Sequence, residues 1–195
     1  MSETNSRAVV LVHDRDPALG YRNIGTFIPE LQQRGFQLQV HSFDYASAST
    51  PPPLGDAAMV VVMGSPDAAY GLNPWVGPET TYLERAIGLD VPILGVCFGG
   101  QLLAQILGGT VTKSDWPEYG MTDIESDCPE LVGSGPWMQF HVDTFDSWAH
   151  AWARDGVEHD RQLVAAIRED LEAGERAARA RCSALLDAWI GRQSR

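Results

Sequence analysis

Cys97 is the residue around which chemistry can be built. It stands in Gly95-Val96-Cys97-Phe98-Gly99-Gly100-Gln101, between the apolar run Val91 to Val96 and a helical face of Leu102, Leu103, Ile106 and Leu107. The run reads as a buried parallel strand and the face as one side of a short helix. A strand that turns sharply into a helix around a central nucleophile is the logic of G-x-S-x-G, here with cysteine in the serine position. Glycines at 95, 99 and 100 are what such a turn needs, because a Cβ at those positions would meet the neighbouring strand or helix. At the N-terminus of a helix the thiol faces unpaired N–H groups and the positive end of the dipole. Both predict a thiol pKa below the ordinary value of about 8.5. The Phe98 N–H can point at an oxygen on the carbon that Cys97 attacks, as half of an oxyanion hole.

The whole string Gly95 to Gln101 resembles the cysteine elbow of class I (triad-type) glutamine amidotransferases, G-[VIL]-C-x-G-x-Q. Met63-Gly64-Ser65-Pro66 is similar to the loop that completes that family's oxyanion hole. Gln139-Phe140-His141-Val142-Asp143 is similar to its Q-F-H-P-E segment. The three motifs occur in family order within roughly residues 60–155. The resemblance implies a free-standing domain like that of GMP synthase, with Cys97 as nucleophile, His141 as base and then acid, and Asp143 orienting the imidazole. It also implies oxyanion donors at Phe98 and at Gly64 or Ser65. Trp116-Pro117-Glu118-Tyr119-Gly120 resembles the P-E-[IVY]-G segment, so Tyr119, Gly120 and Gln101 are the implied glutamine-contacting positions.

Residue geometry supports the His141–Asp143 pairing. In an extended segment residues i and i+2 point the same way, so the carboxylate can reach the imidazole. Two departures from the family pattern stand out. Aspartate replaces glutamate at 143, which shortens the reach by one bond, roughly 1.5 Å, and valine replaces proline at 142. The interval from Cys97 to His141 is only 44 positions, shorter than in the family. Gly135-Pro136-Trp137-Met138-Gln139-Phe140-His141 also resembles an earlier G-P-W-x-Q-x-H segment of the family, as though two similar segments had been joined. His13, His41, His150 and His159 read as structural or solvated.

The elements that must hold these groups follow from hydropathy patterning. Ala8 to His13 reads as a buried strand, 23–34 as a helix stopped by Gly35, Phe36 to Phe43 as an alternating half-exposed strand, and Ala58 to Met63 as a third, buried one. Tyr70 to Trp75 reads as a loop over the site and Glu79 to Ile87 as a helix. Gly108 to Val111 reads as a turn into a further strand, and Trp137 to Phe140 as the strand delivering His141. In the C-terminal part Asp160 is a candidate N-cap, with a stripe of Leu163, Ile167 and Leu171 continued by Leu185, Leu186 and Trp189. Strands alternating with helices predict an α/β fold, a doubly wound and mostly parallel sheet of flavodoxin-like, amidotransferase-like type. Ligands in such sheets bind at the carboxyl ends of strands, where Gly64-Ser65-Pro66 and Cys97 fall.

A chain of 195 residues with 44% apolar content fits a single domain over 1–195, with a core at about 7–155 and a helical segment at about 160–190. No apolar run approaches the ~20 residues of a membrane span, and Met1 to Arg7 lacks a signal-peptide pattern. Three cysteines without C-x-x-C spacing argue against a disulfide framework or a zinc site and suit a reducing cytoplasm. The net charge of −12 argues against nucleic acid and anionic membrane as partners. No cofactor and no metal site is expected, and no G-x-x-x-x-G-K-[ST] loop is present for ATP. The leading expectation is ammonia release from the glutamine side chain through a cysteine thioester, serving a separate synthase chain. The alternatives are a γ-glutamyl hydrolase acting on a glutamylated amine, and a non-catalytic binding relative with an impaired triad.

Overall fold

The computed structural model describes residues 6–14, 16–44, 50–71, 73–113, 120–138 and 161–193. The chain divides into two compact units, residues 1–113 and 114–195.

The first unit is a parallel α/β structure. Its strands are β1 (Ser6–Leu11), β2 (Phe36–His41), β3 (Ala57–Val62) and β4 (Ile93–Gly95), in the order β2-β1-β3-β4. All three pairings are parallel, with Val10 opposite both Val40 and Val61. Val9 and Leu11 point to one face of the sheet and Ala8 and Val10 to the other, and all four are buried, as are Val60, Val61 and Val62 of β3. Burial on both faces is why these strands read as unbroken apolar runs, whereas edge strand β2 alternates. On one face Val9, Leu11, Val60 and Val62 form a single core with Leu83 and Ala86 of α3 (Val76–Gly88) and with Phe98 and Leu102 of α4 (Phe98–Ile106).

The expected helix over 23–34 is two helices, α1 (Pro17–Asn23) and α2 (Phe27–Gln33). Asp16 caps α1 by accepting a hydrogen bond from the Ala18 N–H at 2.9 Å. The interruption is Gly25, whose φ of 57° is left-handed and whose N–H bonds back to the Arg22 carbonyl. The strand expected after Gly108 is absent from the described residues: Gly108 has φ 89°, and 109–113 pair with no strand.

In the second unit β5 (Met121–Ile124) and β6 (Gly135–Met138) form an antiparallel pair, Met121 opposite Met138. The long helix α5 (Arg161–Gln193) packs on this pair. Leu171, Leu186 and Trp189 are its buried residues, while Leu163, the first member of the expected stripe, is exposed. The Asp170 carboxylate accepts the Met121 N–H at 2.7 Å, and the Arg181 guanidinium lies 5.9 Å from the Trp137 ring centroid. Gly174, a weak point for a helix by propensity, sits where a Cβ would come within 2.6 Å of the Met121 sulfur.

Candidate active site

The elbow forms as its residues require. β4 ends at Gly95, α4 begins at Phe98, and Cys97 between them has φ 52° and ψ −113°. A side chain held in that region costs on the order of 1–3 kcal/mol, which the surrounding packing must offset. The packing is close at two glycines. A Cβ on Gly95 would lie 2.6 Å from backbone atoms of Gly99 and Gly100, and one on Gly99 would lie 2.7 Å from Val62 Cβ and on top of the Val62 carbonyl oxygen. Gly100 differs from the expectation for all three glycines: a Cβ there meets only the Gly95 carbonyl oxygen, at an ordinary 3.5 Å. The elbow therefore rests on Gly95 and Gly99.

Cys97 faces the loop after β3. A Cβ built on Gly64 would stand 3.6 Å from Cys97 Cβ and 3.9 Å from its Sγ, so the two strand ends meet at the sulfur. Ser65 is buried, and its hydroxyl accepts the Asp67 N–H at 3.0 Å, which closes the turn. Among the described residues, the N–H groups of Gly64 and Ser65 reach no acceptor. The Phe98 N–H favours the thiolate form of Cys97. Gln101 lies one turn into α4, its side chain exposed and its N–H bonded to the Cys97 carbonyl at 3.0 Å.

The thiol does not follow the helix-terminus expectation. Cys97 is open to solvent as a residue, yet the protein atoms around its sulfur push its pKa up from the ordinary value. Loss of solvation outweighs the Phe98 N–H, which favours the thiolate. Burial thus works against a standing thiolate at Cys97.

Gly120 sits just before β5, buried, with φ 69°. A Cβ there would collide with the Asp170 carboxylate that holds the Met121 N–H, so glycine is required by local packing. Tyr119, His141 and Asp143 lie outside the described residues, as do the Asp160 cap, His150 and His159. Among the described residues no group of three or more His, Cys, Asp or Glu side chains could hold a metal ion.

One residue set aside in the sequence reading stands at the site. His13, at the carboxyl end of β1, is buried with Glu79 of α3, its Nε2 3.0 Å from Oε1 and 3.1 Å from Oε2. Its Nδ1 is 2.9 Å from the Gly64 carbonyl oxygen. The ring packs against Trp75 and Phe98, with centroids 5.0 and 4.6 Å away. Burial works to lower the His13 pKa, but the hydrogen bond and charge of Glu79, the Gly64 carbonyl and the Asp14 charge together raise it above the ordinary value. Trp75 lies in the turn before α3, within the expected loop, and its side chain is buried. The available signal was position: in a sheet ordered 2-1-3-4 the crevice opens between the carboxyl ends of β1 and β3, where His13 and Gly64 fall.

Comparison with known proteins bears on the fold and the family. The chain is similar to the GMP synthase [glutamine-hydrolyzing] of Lacticaseibacillus casei (strain BL23), 52% identical over 56 residues, which is 25% of this chain and 11% of that protein. The GMP synthase [glutamine-hydrolyzing] of Clostridium perfringens is 39% identical over 77 residues, 39% of this chain and 14% of that protein. That of Aeropyrum pernix is 33% identical over 105 residues, 52% of this chain and 19% of that protein. The chain thus spans less than a fifth of the length of these curated relatives. A crystal structure of a glutamine amido transferase from Methylobacillus flagellatus superposes with a TM-score of 0.71 at 17% identity, covering 96% of this chain and 94% of that one. No helix among the described residues is long and apolar enough to cross a membrane. The family model for class-I glutamine amidotransferases matches residues 23–172, and the chain belongs to that family.

Proposed function

We propose that Cys97 cleaves the side-chain amide of glutamine and releases ammonia. The observation that carries this reading is the strained Cys97 at the strand-to-helix turn, its sulfur beside the Gly64 loop. His141 takes the Cys97 proton, and the sulfur bonds to the amide carbon. The carbonyl oxygen, now negative, is held by the N–H groups of Phe98 and of Gly64 or Ser65. Each such donor contributes about 3–4 kcal/mol of transition-state stabilisation. The intermediate collapses as His141 returns the proton to the departing nitrogen. Ammonia leaves, a γ-glutamyl thioester remains, and water cleaves it to glutamate and regenerates the thiol. Asp143 orients the imidazole, while Gln101, Tyr119 and Gly120 line the glutamine pocket. The raised thiol pKa supports a base-dependent nucleophile in place of a standing thiolate.

The synthases to which the chain is similar carry glutamine hydrolysis in their names, and they are far longer than the stretch matched here. We propose that a separate synthase chain in the cytoplasm consumes the ammonia. A second reading, a relative that binds without turnover, is favoured by Asp143 and the 44-position interval from Cys97 to His141. Covalent trapping separates the two. The protein is incubated with a glutamine-shaped diazoketone and the adduct located by mass spectrometry, with Cys128 and Cys182 as internal standards. Labelling at Cys97 far ahead of the other two and dependent on His141 is the expected result. Labelling at the rate of an ordinary thiol would overturn the glutaminase reading.

A further inference from the structure

Hydrogen-bond chemistry fixes the protons of the buried His13–Glu79 pair. The Gly64 carbonyl oxygen, 2.9 Å from Nδ1, can only accept, so Nδ1 carries a hydrogen. Nε2 faces both carboxylate oxygens of Glu79, at 3.0 and 3.1 Å, so one further proton lies between ring and carboxyl. Both side chains are wholly shielded from solvent, and the pair is neutral as a unit. The ring is thus held from three sides: Glu79 on Nε2, and Trp75 and Phe98 against the ring. What it holds in turn is the carbonyl of Gly64, whose own N–H and that of Ser65 are free of acceptors among the described residues. Phe98, whose N–H favours the Cys97 thiolate, packs on the same ring.

We propose that His13, anchored by Glu79, is a positioning residue that sets one half of the oxyanion hole, the Gly64-Ser65 loop, through the Gly64 carbonyl. It touches neither substrate nor sulfur in this role. Its use is to stop the Gly64 peptide from rotating, which would turn the following N–H away from the place where the oxyanion forms. The inference rests on the glutaminase reading of Cys97.

The test compares two variants that lose the ring equally and differ in which bond they keep. In His13→Asn the amide nitrogen takes the place of Nδ1 and can still donate to the Gly64 carbonyl. In His13→Gln it takes the place of Nε2 and reaches Glu79 only. Acylation of Cys97 by the γ-methyl ester of L-glutamate, a glutamine-sized donor that passes through an oxyanion, is measured beside alkylation by iodoacetamide, which does not. The ratio of the two rates should fall at least about 10-fold in His13→Gln, since losing one oxyanion donor outright costs roughly 10²–10³-fold. It should stay within about 3-fold of wild type in His13→Asn. Equal ratios in both variants and wild type, or an equal fall in both variants, would overturn the positioning role. No acylation of wild-type Cys97 would overturn the glutaminase reading and this inference with it. Should His13→Gln fail to fold, Glu79→Gln against Glu79→Met offers the same contrast. The amide keeps a bond to Nε2 and should preserve the ratio, whereas the thioether frees the ring and should lower it.

Discussion

Substituting alanine at Gly99 and at Gly100 should have opposite effects, although the two residues are neighbours in one helix turn. At Gly99 the new methyl would sit 2.7 Å from Val62 Cβ and 2.8 Å from the Val62 carbonyl carbon, with that carbonyl's oxygen closer still. Ordinary contact begins at 3.4 Å, so the start of α4 must back away from β3 by more than half an ångström. Val62 belongs to a central strand paired on both sides and cannot give way. Overpacking of this kind costs about 1–3 kcal/mol. Cys97 and Phe98 ride on the displaced segment. With a 1 Å error worth about 10²-fold in rate, a shift of this size should slow Cys97 acylation by roughly 10-fold. At Gly100 the methyl meets nothing closer than 3.5 Å, and alanine should stabilise by about 0.5–1 kcal/mol through helix propensity and a smaller unfolded-state entropy. Urea unfolding followed by tryptophan fluorescence, with acylation rates on the same preparations, checks both. If Gly99→Ala were as stable and as reactive as Gly100→Ala, the close strand–helix contact at the elbow would be refuted.

Four further outcomes are expected. His13 should titrate above an ordinary histidine in nitrogen-15 NMR, because the hydrogen bond and charge of Glu79 and the Gly64 carbonyl raise its pKa against burial. A raised folded pKa means that its contribution to stability is complete below about 6.5 and is lost as pH rises through the higher folded value; a wild-type stability rising over that window relative to His13→Asn would contradict it. In a His141→Ala background, iodoacetamide alkylation of Cys97 should titrate above the ordinary thiol value of about 8.5, since loss of solvation outweighs the Phe98 N–H. A midpoint near 7 would contradict that ordering. Tyr82→Phe removes the hydroxyl that donates to the buried Pro52 carbonyl at 2.9 Å, and should cost about 1–3 kcal/mol in urea unfolding. Gly174→Ala should gain little of the ~1 kcal/mol that propensity promises, because the Met121 side chain must move to admit the methyl.

The elbow was legible in the sequence because its demands are local. An apolar run, a nucleophile between glycines and an apolar helical face all lie within 17 residues, Val91 to Leu107, and each constrains the backbone directly. The parallel sheet was legible for a related reason: strands buried on both faces carry unbroken apolar runs. What escaped depended on distant contacts. Gly25 and Gly35 look alike as helix stops, and only the fold shows both used, splitting one expected helix into two. Gly100 looks like Gly95 and Gly99, but which glycine abuts Val62 depends on the angle at which α4 leaves the sheet. The thiol pKa was misjudged because the helix terminus is visible in sequence and the desolvating neighbours are not. His13 was set aside because its partner, Glu79, is 66 residues away. That Gly120 serves Asp170 was equally hidden, since the contact joins a turn to a helix 50 residues on.

The claim that the other inferences lean on is a γ-glutamyl thioester at Cys97, and hydroxylamine tests it most directly. Glutamine is supplied with hydroxylamine, and γ-glutamyl hydroxamate is quantified for wild type and for Cys97→Ala. A thioester is intercepted by the amine nucleophile, so wild type should form hydroxamate at the expense of glutamate and Cys97→Ala should form none. Wild type indistinguishable from Cys97→Ala would contradict the account.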